Sequence, residues 1–207
     1  MPTSLSLHTA FRGAAARASY FAADRIDAQF ACKEICRYMA KPTAHAWKAL
    51  RRFCKYFSSA PRIVYKFGKQ SVKGVDVYTD TDWAGCPQTR KSTSGGVVML
   101  GTHTMKHWSS TQTSTALSSG EVEFAGVTRG SGQGLGYQAL LEDLGIKAPL
   151  RVWTDSNAAI SICSRQGLGK MRHLDTHTLC IQQVARSRRI DLRKIRRWRT
   201  CRSPDEA

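Results

Sequence analysis

Two strand-like runs in this chain end in an aspartate, GVDVYTD (residues 74–80) and LRVWTD (150–155), and a long helical run lies between them. That order restricts the fold more than any other feature. In the first run Val75 and Val77 alternate with Asp76 and Tyr78, the period of two expected of a strand. SGGVVMLGTHTMKHWSS (94–110) predicts two more strands around a turn near Gly101 and Thr102. LSSGEVEFAGVTRGSGQGLGYQALLEDLG (117–145) predicts a long helix, capped by Ser118 or Ser119 and stopped by Gly145. SNAAISICSRQ (156–166) and DTHTLCIQQVARS (175–187) predict further helices, and IDLRKI (190–195) a last strand. Strands interleaved with helices in the order β-β-β-α-β-α-α-β predict an α/β layer fold with a mixed sheet.

Ahead of this region the pattern is helical. Residues 22–40 place Ile26, Phe30, Ile35 and Met39 at helical spacing. Pro42 ends that helix and Thr43 is positioned to cap the next, in which Trp47, Leu50, Cys54 and Phe57 form an apolar stripe. Lys48, Arg51, Arg52 and Lys55 lie elsewhere around it, as a solvated basic face or as one suited to a phosphate backbone. RIVYKF (62–67) predicts a short strand, followed by a linker from Gly68 to Gly74. In the long helix Gly126, Gly130 and Gly134 recur every four residues and share one face. They predict either a close approach to a sheet or a helix that is weak there.

Thirty-two Lys and Arg face fifteen Asp and Glu, a net charge of +17. Such a surplus suits a polyanion, and nucleic acid is the commonest. No window has the apolar length of a membrane span, and the N-terminus has no signal-peptide core. The seven cysteines include no CxxC pair, and Cys32 and Cys36 lack zinc-site partners. They are expected to be reduced packing residues in an intracellular protein, cytoplasmic or nuclear.

Against the basic background three carboxylates stand out. Asp80 and Asp155 end strands, and Glu123 lies one turn into the long helix. If the two strands are parallel neighbours, their aspartates lie side by side at the carboxyl edge of the sheet, where α/β sites gather. Clustered carboxylates repel unless a cation holds them, and hard oxygen ligands suit Mg2+. Each also has a plainer role available. Asp155 could cap the following helix, Asp80 and Asp82 could start a turn, and Glu123 could be solvated beside Glu121.

YTDTDWAGCPQTRKSTSGGVVMLG (78–101), WSSTQTSTALSSGEVEFAGV (108–127) and WTDSNAAISI (153–162) strongly resemble the RNase H domain of copia-type retrotransposon Pol polyproteins. The similarity runs from about Val75 to Ile195. Upstream, residues 11–57 look like the C-terminal thumb and connection end of the same family's reverse transcriptase. The resemblance implies an RNase H-like mixed five-stranded sheet, order 3-2-1-4-5, flanked by helices and preceded by a helical hairpin. It divides the chain into 1–68, a reverse-transcriptase remnant; 69–196, the RNase H-like domain; and 197–207, a divergent basic tail.

The same resemblance implies that Asp80, Glu123 and Asp155 are the acidic ligands of two Mg2+ ions, for which Mn2+ can substitute. Glu123 is preferred to Glu121 because the family motif places its ligand at the second glutamate. The implied reaction is hydrolysis of the RNA strand of an RNA–DNA hybrid, within a polyprotein that also carries the reverse transcriptase. Asp82 is a supporting candidate near the metals. Arg90, Lys91 and Trp83 are candidates for holding the duplex, as are Arg172 and His173 in KMRHLDTH (170–177), where His173 and Asp175 could instead order the loop. The family's closing motif, like NPADLFTK, supplies a fourth aspartate. Here the end reads RRWRTCRSPDEA (196–207), and Asp205 is only a loose echo of it. That departure is expected if the end is truncated or frame-shifted near Arg196. It leaves two rivals to the nuclease: an inactive nucleic-acid-binding remnant, or a structural segment of the polyprotein.

Overall fold

The computed structural model describes residues 4–86, 89–113, 115–167 and 180–195. The chain divides into two compact units, Met1–Gly68 with Trp108–Ser110, and Lys69–His107 with Thr111–Ala207.

The first unit is helical: α1 (Ser4–Ala22), a 3-10 turn (Ile26–Ala28), α2 (Gln29–Cys36) and α3 (Ala44–Ser59). The long helix α1 adds a third element to the expected hairpin. Its alanines and Phe11 pack with Cys32, Ile35, Ala46, Leu50 and Phe53 into a core of small and medium side chains. The chain breaks after Ala22, so the apolar phase expected over residues 22–40 is reset. Ala28, Cys32 and Ile35 turn inward, while Ile26 is exposed and Phe30 is 59% exposed. Arg25 is buried instead, donating to both Asp27 oxygens and to Ala60 O and lying 4.5 Å over the Phe57 ring. Thr43 caps α3, its hydroxyl accepting from Ala46 N at 3.1 Å. The stripe of α3 is rotated from the expected one: Ala46, Leu50 and Phe53 are buried, Trp47 and Phe57 are half-buried, and Cys54 is exposed.

RIVYKF is not a strand. Residues 61–74 contain no strand, and Val64 is 77% exposed. Propensity makes a strand only when another strand lies alongside, and among the described residues no strand pairs with this run. The chain then enters the second unit. Here Gln70 reaches the turn at Gly101 and Thr102, donating to Leu100 O and accepting from Thr102 N.

Among the described residues the strands form a five-stranded sheet of order β3-β2-β1-β4-β5, as expected: β1 (Val75–Asp82), β2 (Thr93–Leu100), β3 (His103–Thr111), β4 (Leu150–Thr154) and β5 (Ile190–Lys194). β1 and β2 are antiparallel, whereas β1–β4 and β4–β5 are parallel. The turn at Gly101 and Thr102 joins β2 to β3, with Gly101 at φ +61, a left-handed conformation that suits glycine. β1 departs from simple alternation because Asp76 is buried with the valines. It accepts both Arg151 Nε (2.7 Å) and Nη2 (2.6 Å), and also Trp153 Nε1 (2.8 Å), so its charge is matched.

The helix α4 (Ser119–Asp143) lies on β1, β2 and β4, followed by α5 (Asn157–Ser164) and α6 (Cys180–Arg186). The glycines of α4 settle which expectation holds there. A Cβ at Gly126 would come within 2.5 Å of Thr81 Cγ2, one at Gly134 within 2.5 Å of Leu150 Cδ1, and one at Gly130 would overlap Thr79 Cγ2. The helix is continuous and its glycine face rests directly on the sheet. Among the described residues no helix is long and apolar enough to cross a membrane.

Candidate metal centre

The register of the parallel pair sets the site. Val75 is level with Leu150 and Tyr78 with Trp153; the same offset carried forward sets Asp80 level with Asp155 at the carboxyl edge. α4 brings the third group. Its N-cap is Ser118, whose hydroxyl accepts from Glu121 N. Glu121 turns back, accepting from Leu117 N at 2.9 Å, and is 6% exposed. The two residues share the reciprocal logic of a capping box. Glu121 is thereby committed to the helix start, and the S-x-x-E spacing was a readable sign of it. Glu123, two residues on, is presented to the sheet edge.

Ligand oxygens of Asp80, Glu123 and Asp155 all lie within 4.8 Å of one another. Asp155 is not a helix cap: Ser156 fills that role, accepting from Ala159 N. Glu123 Oε2 is buried without a hydrogen-bond partner. Burial pushes the Glu123 carboxyl up to about 7, the Thr81 hydroxyl opposes the rise, and the charges of Asp155 and Asp80 add to it. Thr81 Oγ1 nonetheless completes no hydrogen bond of its own. A carboxylate that is half-buried, orphaned and repelled by two others suits a divalent cation, which removes all three penalties. The donor set, three carboxylates and no sulfur or imidazole, is that of a hard metal.

The other candidates separate. Asp82 lies outside this group. Its carboxylate covers Gly85 so closely that a Cβ there would overlap it, which places it in the turn after β1. Trp83 is half-exposed, with Nε1 donating to Ala116 O at 3.4 Å. The loop onward is pinned from beneath: buried Ser92 accepts from Ala84 N, and the buried Cys86 sulfur from Thr89 N. Ala84 and Arg90 adopt left-handed φ values of 52 and 54. Arg90 is exposed and Lys91 half-exposed on this loop. Arg172, His173, Asp175 and Asp205 lie outside the described residues. Sequence reasoning missed Thr81, the side chain nearest in kind to a second neighbour of Glu123, although TDTD (79–82) showed it between the two aspartates.

With this geometry in place, relatives decide the family. The chain is 31% identical over 180 residues, 84% of its length, to a retrovirus-related Pol polyprotein from transposon RE2 of Arabidopsis thaliana. The chain belongs to the retrotransposon Pol family. It is also 29% identical over 83% of its length to the corresponding polyprotein from transposon RE1. It spans only 12% of the length of each of these Pol relatives. No family model matches the chain. Among solved structures it is similar to an RNase H1 isolated from compost, at 15% identity and a TM-score of 0.44, over 60% of this chain and 86% of that one. The mixed sheet and its strand order are those the Pol resemblance implied for an RNase H-like domain.

Proposed function

We propose that this Pol segment hydrolyses the RNA strand of RNA–DNA hybrids with divalent metal ions, Mg2+ first and Mn2+ as a substitute. The observation that carries the proposal is the convergence of Asp80, Glu123 and Asp155 at one sheet edge. Asp80 and Asp155 supply oxygen ligands, and Glu123 completes the cluster by giving up the proton that its surroundings favour. Ions held there would activate the attacking water and stabilise the leaving oxygen of an in-line displacement. Arg90 and Lys91 hold backbone phosphates beside the site, and the exposed face of Trp83 lies against the duplex. The 2′-hydroxyls and the groove shape of the hybrid select the RNA strand. In this proposal residues 1–68 are the end of a reverse transcriptase, 69–196 the nuclease domain and 197–207 a basic tail. The remainder of the polyprotein is the partner, and the compartment is wherever the hybrid forms, cytoplasm or nucleus.

The test is a labelled RNA–DNA hybrid incubated with the purified chain and Mg2+. Cleavage of the RNA strand alone, reduced at least about 100-fold by Asp80→Asn, is the expected result. Tight hybrid binding without cleavage by either protein would overturn the proposal in favour of an inactive binding remnant.

A further inference from the structure

Two of the chain's sulfurs meet inside the first unit. Cys32 and Cys36 stand four residues apart on α2, so they share one helix face, and their Sγ atoms are 3.8 Å apart. Cys32 is 3% exposed and Cys36 is half-buried. Across from them α1 offers small residues, Ala15 and Ala22 among them, and Cys36 Sγ donates to Ala15 O at 3.7 Å. The small side chains leave a cavity beside the pair, lined by both cysteines together with Ser19, Ala22 and Lys33.

The sulfur separation selects among the reactions open to two thiols. A disulfide needs its Cβ atoms about 3.5–4.5 Å apart, whereas residues four apart on a helix hold theirs about 5–6 Å apart. Closing one would unwind the last turn of α2, which ends at Cys36. A metal ion asks for less. At about 2.3 Å from each thiolate, a three- or four-coordinate ion holds its sulfurs roughly 3.8–4.0 Å apart. The pair already has that spacing. Thiolates favour soft ions, Cu(I) and Zn(II) above all. Zinc takes four protein ligands, or three with one open position. Among the described residues no third His, Cys, Asp or Glu joins this pair, the group that does form being Asp80, Glu123 and Asp155. Cu(I) is satisfied by two or three sulfur donors, and the short ligand set favours it.

We infer that Cys32 and Cys36 form a dithiolate site for a soft monovalent cation, Cu(I), reached through the cavity beside α1 and α2. Binding replaces the two S–H protons, which are released, with two Cu–S bonds, and neither copper nor sulfur changes oxidation state. The site shares no residue with the carboxylate cluster and rests on no part of the proposed nuclease activity.

The test uses the full chain carrying Cys54→Ser, Cys180→Ser and Cys201→Ser, which removes two exposed thiols and one outside the described residues. Cu(I) is supplied without oxygen, under ascorbate, as its coloured bicinchoninate complex. The expected result is withdrawal of a single Cu(I) per chain, with thiolate-to-copper charge-transfer absorption in the ultraviolet and a raised melting temperature. Cys36→Ser, at the half-buried position, should weaken uptake at least about 100-fold. Cys32→Ala/Cys36→Ala should abolish it. Circular dichroism and thermal melts without copper establish that each variant is folded. Unchanged uptake by folded Cys36→Ser would overturn the inference, as would a parent chain that leaves all the copper with bicinchoninate. Zn(II) held by the pair against added Cu(I) would overturn it as well. Asp80→Asn should take up Cu(I) as the parent does, so failure of hybrid cleavage counts against the nuclease proposal alone.

Discussion

Glu123 is the least comfortable of the three carboxylates, and its discomfort is measurable. Its carboxyl is pushed up to about 7 by burial and by Asp155 and Asp80, above the ordinary value of 4.5 that it regains on unfolding. A group whose value rises on folding stabilises the fold below its unfolded value, and that contribution is lost as pH rises through the folded one. Without divalent ions the protein should therefore lose on the order of 1–2 kcal/mol between pH 4.5 and 7.5, allowing for solvent screening of a half-exposed group. Glu123→Gln should remove that slope, and urea melts in EDTA at the two pH values check it. Mg2+ affinity should rise over the same interval, because binding requires the carboxylate form. Asp76 behaves in the opposite sense. Burial pushes its carboxyl up, but the hydrogen bonds from Arg151 and Trp153 and the charges of Arg151 and Arg193 more than offset this and hold it below the ordinary value. Its contribution is present above the unfolded value near 4 and is lost as pH falls below that. Asp76→Ala should cost about 2–4 kcal/mol at pH 7 by stranding Arg151, read from denaturant midpoints.

The element that positions the site is α4, and its glycines are not equivalent. Gly130→Ala should destabilise by about 1–3 kcal/mol, since the added methyl meets Thr79 and Val77, despite the better helix propensity of alanine. Gly132 and Gly136 face open space, so alanine there should stabilise by up to about 1 kcal/mol. Thermal melts of the three single variants make the comparison. The four-residue glycine period was visible in the chain, but whether it meant contact or weakness depended on a sheet lying beneath it. The same limit explains other differences. The strands of the second unit were readable because each is long, alternating or bounded by turn residues. RIVYKF had the composition, but among the described residues no strand pairs with it. Residues 22–40 had helical spacing, yet the break after Ala22 rotated the buried face, and Arg25 there reaches Asp27 and Ala60. At the site, spacing alone left Asp155 as cap or ligand, and only the adjacent Ser156 hydroxyl resolves it.

For the whole molecule, the chain divides into two compact units. Leu50 is buried in the core of the first unit, where Leu50→Ala should cost about 2–4 kcal/mol. Mg2+ affinity at Asp80, Glu123 and Asp155 should remain unchanged in that variant, as a calorimetric titration would show. The glycine face of α4 carries a further consequence for how such a protein can diverge. The gap between helix and strand there is set by bare backbone against threonine methyls, so the usual route of trading one core side chain for another of similar volume is closed. A larger residue at position 126 becomes tolerable only if the strand gives up the atom it would strike. Thr81→Ser removes that methyl, so Gly126→Ala and Thr81→Ser should behave as a compensating pair, each a detour on the way to the other. The spacing of the three carboxylates is thus inherited through coupled substitutions on two elements.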